Sequence, residues 1–159
     1  MYTAKECIEK ALETDGFNSG AWLLLGEIGG GSVDGRVHNR QQCYEKGVMC
    51  DGANSAAWVK LGEGGGGTVD FRRFTGRQCF LWALRLQKDN SVAWAALGVC
   101  GGGEVNDQDY SSKKCYERAL HFDRENSVAW MQLSKIGGGK VNGVEYTSAQ
   151  CEELGFKFR

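Results

Sequence analysis

The sequence predicts an all-α solenoid in which each repeat contains a helix, a glycine-rich hairpin and a second helix. Glycine-rich segments such as Gly26–Gly35 recur four times along the chain. Four tryptophans recur at 36-residue intervals, each directly after an alanine: Trp22, Trp58, Trp94 and Trp130. Five cysteines keep the same step: Cys7, Cys43, Cys79, Cys115 and Cys151. A fixed period of this size is typical of arrays in which every repeat buries its apolar face against its neighbours.

The first helix of each repeat, helix A, begins after an Asn-Ser pair and carries the pattern Ala-Trp-x-x-Leu. In the first repeat this pattern places Ala21, Trp22 and Leu25 on one face, with Ser19 expected to cap the first turn. The helix should end where the glycine run begins, because each glycine inside a helix costs about 1 kcal/mol relative to alanine.

The glycine-rich segment that follows helix A predicts a small β-hairpin. Asp34-Gly35 and Asn142-Gly143 each lie between short flanking segments, and such pairs favour tight two-residue turns. The second and third repeats carry Asp70-Phe71 and Asn106-Asp107 at this point, so the hairpin signal is weaker there.

The second helix of each repeat, helix B, opens with a capping box in most copies. The pairs are Thr3 with Glu6, Asn39 with Gln42, Thr75 with Gln78 and Thr147 with Gln150. Its apolar stripe has the spacing of a face that packs against other helices, as in Cys115, Tyr116, Ala119 and Leu120.

Length and composition favour one folded domain covering residues 1–159. By helix pair it comprises a lone second helix at 1–17 and repeats at 18–53, 54–89, 90–125 and 126–159. The formal net charge is −1, which gives no general attraction to nucleic acid or to an acidic membrane surface. No long apolar run or secretion signal is present, so we expect no membrane partner. The odd cysteine count of seven suits a reducing, cytoplasmic compartment.

The run from Cys115 to Leu133 resembles the second helix of one tetratricopeptide repeat followed by the first helix of the next. The chain departs from that family in its 36-residue period, in its lack of proline and in its glycine hairpin. In the hairpin it is similar to the SEL-one-like repeats. The resemblance implies a right-handed superhelix of paired helices, with a concave face lined mainly by helix A.

The sequence contains no strong motif for cofactor binding, metal binding or catalysis. The glycine segments follow a helix, whereas nucleotide-binding loops follow a strand, so we expect no cofactor. No C-x-x-C pair occurs and only His38 and His121 could add imidazole, so we expect no metal site. No catalytic grouping stands out, and we expect no enzyme activity.

The periodic cysteines should be thiols that fill small core sites, since packed helices hold them too far apart for disulfides. The periodic tryptophans are expected in the core, although a stacking platform for rings is the alternative reading. Three residues fall outside the repeat pattern, and their roles are open: Trp82, Cys50 and Cys100.

The sequence therefore predicts a scaffold that binds a peptide or a protein surface of unknown identity. By the resemblance, the helix A positions one and five residues after each tryptophan should face the groove. These are Leu23, Glu27, Val59, Glu63, Ala95, Val99, Met131 and Lys135. We expect an extended or helical peptide with an apolar centre and its basic end near Glu27 and Glu63.

Two alternatives remain open at this stage. The first is that the chain is an RNA-binding repeat protein. Its second repeat is locally basic, with Arg72, Arg73, Arg77 and Arg85, which supports this alternative. Acidic residues elsewhere interrupt any basic stripe, so we do not favour nucleic acid. The second is a structural segment that self-associates through uncapped ends, such as the one at Phe156 and Phe158, or that belongs to a longer array.

Overall fold

The computed structural model describes residues 2–159. The chain divides into two compact units, Met1–Cys79 and Phe80–Arg159, called the N-terminal and C-terminal units below. Within residues 2–159, no helix combines the length and the apolar character that crossing a membrane requires.

The N-terminal unit alternates helices with two-stranded antiparallel hairpins. Its elements are α1 (Ala4–Thr14), α2 (Ser19–Glu27), β1 (Gly30–Val33), β2 (Arg36–Asn39), α3 (Arg40–Cys50), α4 (Ser55–Glu63), β3 (Gly66–Val69) and β4 (Arg72–Thr75). In this numbering α2 and α4 are helices A, and α1 and α3 are helices B.

The C-terminal unit repeats the same order. Helix α5 (Gly76–Leu86) contains the division between the two units. The elements that follow it are α6 (Ser91–Val99), β5 (Gly103–Val105), β6 (Gln108–Tyr110), α7 (Ser112–Phe122), α8 (Ser127–Lys135), β7 (Gly139–Val141), β8 (Val144–Tyr146) and α9 (Ser148–Lys157). The expected order of helix, hairpin and helix is thus confirmed for the described residues.

Each helix A is capped by asparagine, so the expectation that Ser19 caps α2 was wrong. The Asn18 side chain accepts a hydrogen bond from the backbone N–H of Ala21, while Ser19 is the first helical residue. The Ser19 hydroxyl instead donates to the backbone carbonyl of Gly47 on α3 at 2.8 Å. The Asn-Ser pair therefore combines a helix cap with a link to the neighbouring helix.

The capping boxes of helix B are confirmed. In α1, α3 and α9 the N-cap side chain and the Glu or Gln three residues later satisfy each other's backbone N–H groups. At α5 the Thr75 N–H donates to Gln78 at 2.8 Å, and the Gln78 N–H donates to the Thr75 hydroxyl at 3.3 Å. Local sequence thus sets where these helices begin.

All four hairpins form, including the two for which the turn signal was weak. Their turns use positive backbone φ angles, and in the second repeat both Asp70 (47°) and Phe71 (62°) adopt them. A close approach of the two strands requires Gly30, because a Cβ there would overlap the carbonyl oxygen of His38. The glycine run therefore serves the hairpin's backbone geometry.

Three of the hairpins are also held by a carboxylate on the preceding helix B. Glu9 on α1 accepts the backbone N–H of Ser32 at 2.7 Å. Glu45 on α3 and Glu117 on α7 repeat this bond with the hairpin residue 23 positions later, at 2.7 and 2.9 Å. A helix of one repeat is thus bonded to the hairpin of the next.

The core of each unit contains the apolar faces that the periodicity predicts. Ala21, Trp22 and Leu25 of α2 are all buried, as are the four residues of the α7 stripe. Among the periodic cysteines, Cys43, Cys79, Cys115 and Cys151 have no exposed surface. Cys7 is exposed, so its predicted core position was wrong. It lies on α1.

Candidate binding surface

The periodic tryptophans are buried and fixed by polar contacts as well as by packing. They expose between 1% and 5% of their surface, and each indole N–H donates to the backbone carbonyl six residues earlier. Each ring also meets, edge to face, an aromatic side chain 16 residues later on the hairpin. The pairs are Trp22 with His38, Trp58 with Phe74, Trp94 with Tyr110 and Trp130 with Tyr146.

Core packing of the tryptophans is therefore confirmed, and the reading as a stacking platform was wrong. A ring buried to this extent has no free face on which a base or ligand could stack. The aromatic partner on the hairpin was missed, although its signal is in the sequence. An aromatic or histidine recurs 16 residues after every periodic tryptophan.

The predicted groove residues one position after each tryptophan are buried or half-buried. Val59 and Ala95 expose only 5% and 3% of their surface, and Leu23 and Met131 are half-buried. A Cβ added at Gly47 of α3 would come within 2.9 Å of the Leu23 side chain. Gly155 of α9 makes room for Met131 in the same way. Leu23 and Met131 therefore pack within a helix pair, and Val59 and Ala95 are buried in the fold.

The groove residues five positions after each tryptophan are exposed: Glu27, Glu63, Val99 and Lys135. In the N-terminal unit the Lys60 ammonium lies 3.0 Å from the Glu27 carboxylate and 3.5 Å from that of Glu63. The hydrogen bond to Glu27, with a smaller contribution from Glu63, raises the pKa of Lys60. The three side chains together carry a formal charge of −1, so the acidic end expected there is partly neutralised.

A second set of helix A positions, which are exposed or half-buried, forms a line that we call the helix A stripe. Its positions lie two residues before and two and six residues after each tryptophan, one helical turn apart. In the C-terminal unit it includes Val92, Val128 and Ile136, which are each 47–51% exposed. In the N-terminal unit it includes Leu24 and Ile28, which are 52% and 48% exposed.

In the C-terminal unit the stripe places exposed aliphatic side chains on two helices that contact each other. Helices α6 and α8 contact each other there, so their stripes lie on adjacent helices. Val99 of α6, which belongs to the predicted groove, adds a further side chain that is 58% exposed. The stripe was not predicted, because the predicted groove positions followed the resemblance. The i, i+4, i+8 spacing of Val128, Gln132 and Ile136 was the available signal.

The residues outside the repeat pattern lie at or near the surface. Trp82 is 38% exposed, and the Arg85 guanidinium lies 5.4 Å from its ring centroid. Cys100 is exposed, and Cys50 is half-buried with its thiol 3.5 Å from the Gly16 carbonyl. Burial raises the pKa of Cys50, so this thiol is not an activated nucleophile.

The structure offers no metal-binding cluster within residues 2–159. No protein-family model and no curated protein matches the chain. Its architecture defines the class: a helix-rich repeat protein with a small antiparallel hairpin between the two helices of each repeat. Its function must be argued from the exposed surfaces.

Proposed function

We propose that the chain is a helical-repeat scaffold that binds a peptide or a protein surface along its helices A. The observation that carries this proposal is the aliphatic surface on the adjacent helices α6 and α8. Val92, Val99, Val128 and Ile136 each leave about half of their surface in contact with solvent. Single exposed aliphatic residues are common, but a cluster on two contacting helices is typical of interaction sites.

The difference between constant and varied positions in helix A supports the same proposal. The tryptophan and the leucine three residues later are buried in every repeat. The stripe positions vary, from Leu24 and Ile28 in the first repeat to Lys60 in the second and Gln132 in the fourth. Buried constant positions support the fold, which leaves the varied exposed positions available for recognition.

The proposed solenoid follows from the resemblance to tetratricopeptide and SEL-one-like repeats. In that arrangement successive helix pairs stack into a right-handed superhelix and their helices A line one face. The partner would be an extended or helical segment with an apolar centre. A basic residue of the partner would meet Glu27 and Glu63, whose charge exceeds that of Lys60 by one unit.

The test begins with selection of binding peptides from a displayed library against the intact chain. The selected peptide's affinity is then measured for the variants Val92→Asp and Val128→Asp. The matched control is Val144→Asp on β8, since Val144 is 52% exposed but lies on a hairpin. We expect a loss of about tenfold or more for the stripe variants only, the range of a well-placed apolar contact.

A second comparison tests the polarity of the bound segment. Exchanging both Glu27 and Glu63 for Lys should weaken a peptide with a basic end and leave a neutral one unchanged. If neither the stripe nor the glutamates affect affinity, the site lies on the hairpin edge or on the opposite face. Selection that yields no binder would contradict the proposal itself.

RNA binding is the alternative function, and one observation supports it. At the β3–β4 turn Phe71 is fully exposed, and Arg72 and Arg73 follow it with exposed side chains. Aromatic and basic residues together can bind single-stranded nucleic acid. A mobility-shift assay with single-stranded RNA at low and high salt distinguishes the two functions. Salt-sensitive binding lost in Phe71→Ala would favour RNA.

A purely structural role is the third possibility, in which copies of the chain self-associate. Phe156 on α9 is 55% exposed and could contribute to such a contact. Light scattering over a range of protein concentrations would detect it.

A further inference from the structure

A basic cleft in the C-terminal unit is not explained by the fold. Its floor is one face of α7, its walls are residues of the β5–β6 and β7–β8 hairpins, and it is an open cleft of about 400 Å³. Lys114, Arg118 and His121 on the floor are four and three residues apart, so they follow one side of the helix. Lys140 on β7 faces them from the wall.

The only carboxylate that lines the cleft already has a partner. Glu117 accepts the backbone N–H of Lys140 at 2.9 Å, the bond by which helix B holds the next hairpin. Counting Lys114, Arg118 and Lys140 against Glu117 leaves a formal charge of +2 among the lining residues. The three cations are exposed along the cleft, and Glu145, the cross-strand partner of Lys140, is outside its lining.

Two further contacts orient the groups in the cleft. The Arg118 guanidinium lies 5.9 Å from the centroid of the Tyr110 ring, which restricts its position over the wall. The His121 Nδ1 lies 2.5 Å from the Asn142 side-chain oxygen, so Nδ1 is the donor and Nε2 is left on the other side of the ring. The basic groups are thus partly positioned before any ligand binds.

The repeat itself shows that folding does not require these charges. The corresponding positions in the N-terminal unit, 72 residues earlier, are Gln42, Lys46, Met49 and Thr68. There Glu45 makes the same bond to the hairpin, with the Thr68 N–H at 2.7 Å. Helix α3 and its hairpins therefore form with one cation where the α7 cleft has three.

We propose that this cleft binds a phosphate monoester. A dianionic phosphate matches the charge of +2, and its oxygens can accept from the guanidinium fork of Arg118 and from two ammonium groups. The volume exceeds that of a phosphate group, so the esterified moiety also has room beside Tyr110 and Gln108. This proposal does not depend on peptide binding at the helix A stripe.

The test is a titration of the intact, isotope-labelled chain with O-phospho-L-serine, followed by amide NMR shifts at Lys140 and Asn142. Serine and sodium sulfate at equal ionic strength are the control ligands. We expect saturable shifts with the phosphate ester, little response to serine, and a dissociation constant raised about tenfold in Arg118→Gln and Lys140→Gln. Lys46→Gln, at the repeat position equivalent to Arg118, should bind like the unaltered chain.

A short peptide that contains phosphoserine distinguishes the source of the phosphate. Tighter binding of the peptide than of the amino acid indicates a phosphorylated protein partner, and equal binding indicates a small monoester. Circular dichroism checks that each variant is folded, and Lys140→Gln on the exposed hairpin provides a second variant if Arg118→Gln unfolds. The proposal is overturned if phosphoserine and sulfate give the same shifts, or if Arg118→Gln and Lys140→Gln bind as tightly as Lys46→Gln.

Discussion

Replacement of Trp94 by alanine tests the central packing feature of the repeat. Trp94 exposes 3% of its surface, its indole N–H donates to the Lys88 carbonyl at 2.7 Å, and its ring centroid lies 4.7 Å from that of Tyr110. The substitution therefore removes an apolar contact surface, a hydrogen bond and an edge-to-face aromatic pair at once.

The expected magnitude follows from these three losses. Truncation of a large buried aromatic costs about 3–5 kcal/mol, which already includes the local contacts it makes. Trp94→Phe keeps most of the ring and loses the indole N–H, so it should cost about 1–2 kcal/mol, close to the net value of one hydrogen bond plus a small packing defect. Trp82→Ala is the control, because Trp82 is 38% exposed and its loss should cost about 1 kcal/mol or less.

The assay is urea unfolding of the intact chain followed by far-ultraviolet circular dichroism, which does not depend on tryptophan fluorescence. The order of stability should be unaltered chain, Trp82→Ala, Trp94→Phe and Trp94→Ala. An unfolding midpoint for Trp94→Ala equal to that of Trp82→Ala would refute the assignment of Trp94 to the core.

The remaining predictions concern the hairpins and the thiols. Gly138→Ala should destabilise the chain by about 2–4 kcal/mol in urea unfolding, because its Cβ would overlap the Tyr146 carbonyl at a φ of 89°. Gly137→Ala should cost only about 1 kcal/mol, since φ is 93° but no atom lies within 4 Å; equal costs would contradict the steric account. Glu117→Ala should speed hydrogen exchange of the Lys140 amide and leave that of Glu104 unchanged, because only the Lys140 N–H donates to the Glu117 carboxylate. Burial raises the pKa of Cys43 from 9.0 to about 11 and that of Cys79 to about 12. The folded state therefore holds these protons more tightly, so the stability that the two thiols contribute is present below pH 9 and is lost as the pH rises towards 11, a decline in the free energy of unfolding that Cys43→Ala should reduce.

Local signals in the sequence account for most of the secondary structure. The capping boxes at Thr3, Asn39 and Thr147 fix helix starts through bonds that span three residues, and the glycine run ends each helix A. These features need no knowledge of packing, so they can be read from the chain directly. The sequence does not show in this way that Asn18, and not Ser19, is the cap, because this depends on the hydrogen bond between Ser19 and α3.

The candidate binding surface was harder to predict because it depends on how helices A and B rotate against each other. Leu23 and Met131 lie close to glycines of helix B that are 24 residues later in the chain. Nothing in the sequence indicates that these residues are in contact. Glu27 and Val99 are exposed, and their place in a groove stays a prediction. The apolar stripe at Val92 and Val128 becomes evident only when the buried side of the helix is known.

The Asn-Ser pair has a consequence for how such a chain can change during evolution. The Asn126 amide donates to the Ser91 hydroxyl at 2.7 Å while its oxygen caps its own helix, and Asn54 reaches Ser19 at 3.1 Å in the same way. Each link joins residues 35 positions apart, from one copy of the pair to the next. Duplication or deletion of a whole 36-residue segment brings a matching donor and acceptor back together, whereas a change of any other length leaves both without their partners. Gain or loss of complete 36-residue segments therefore disrupts fewer of these hydrogen bonds than insertions or deletions of other lengths.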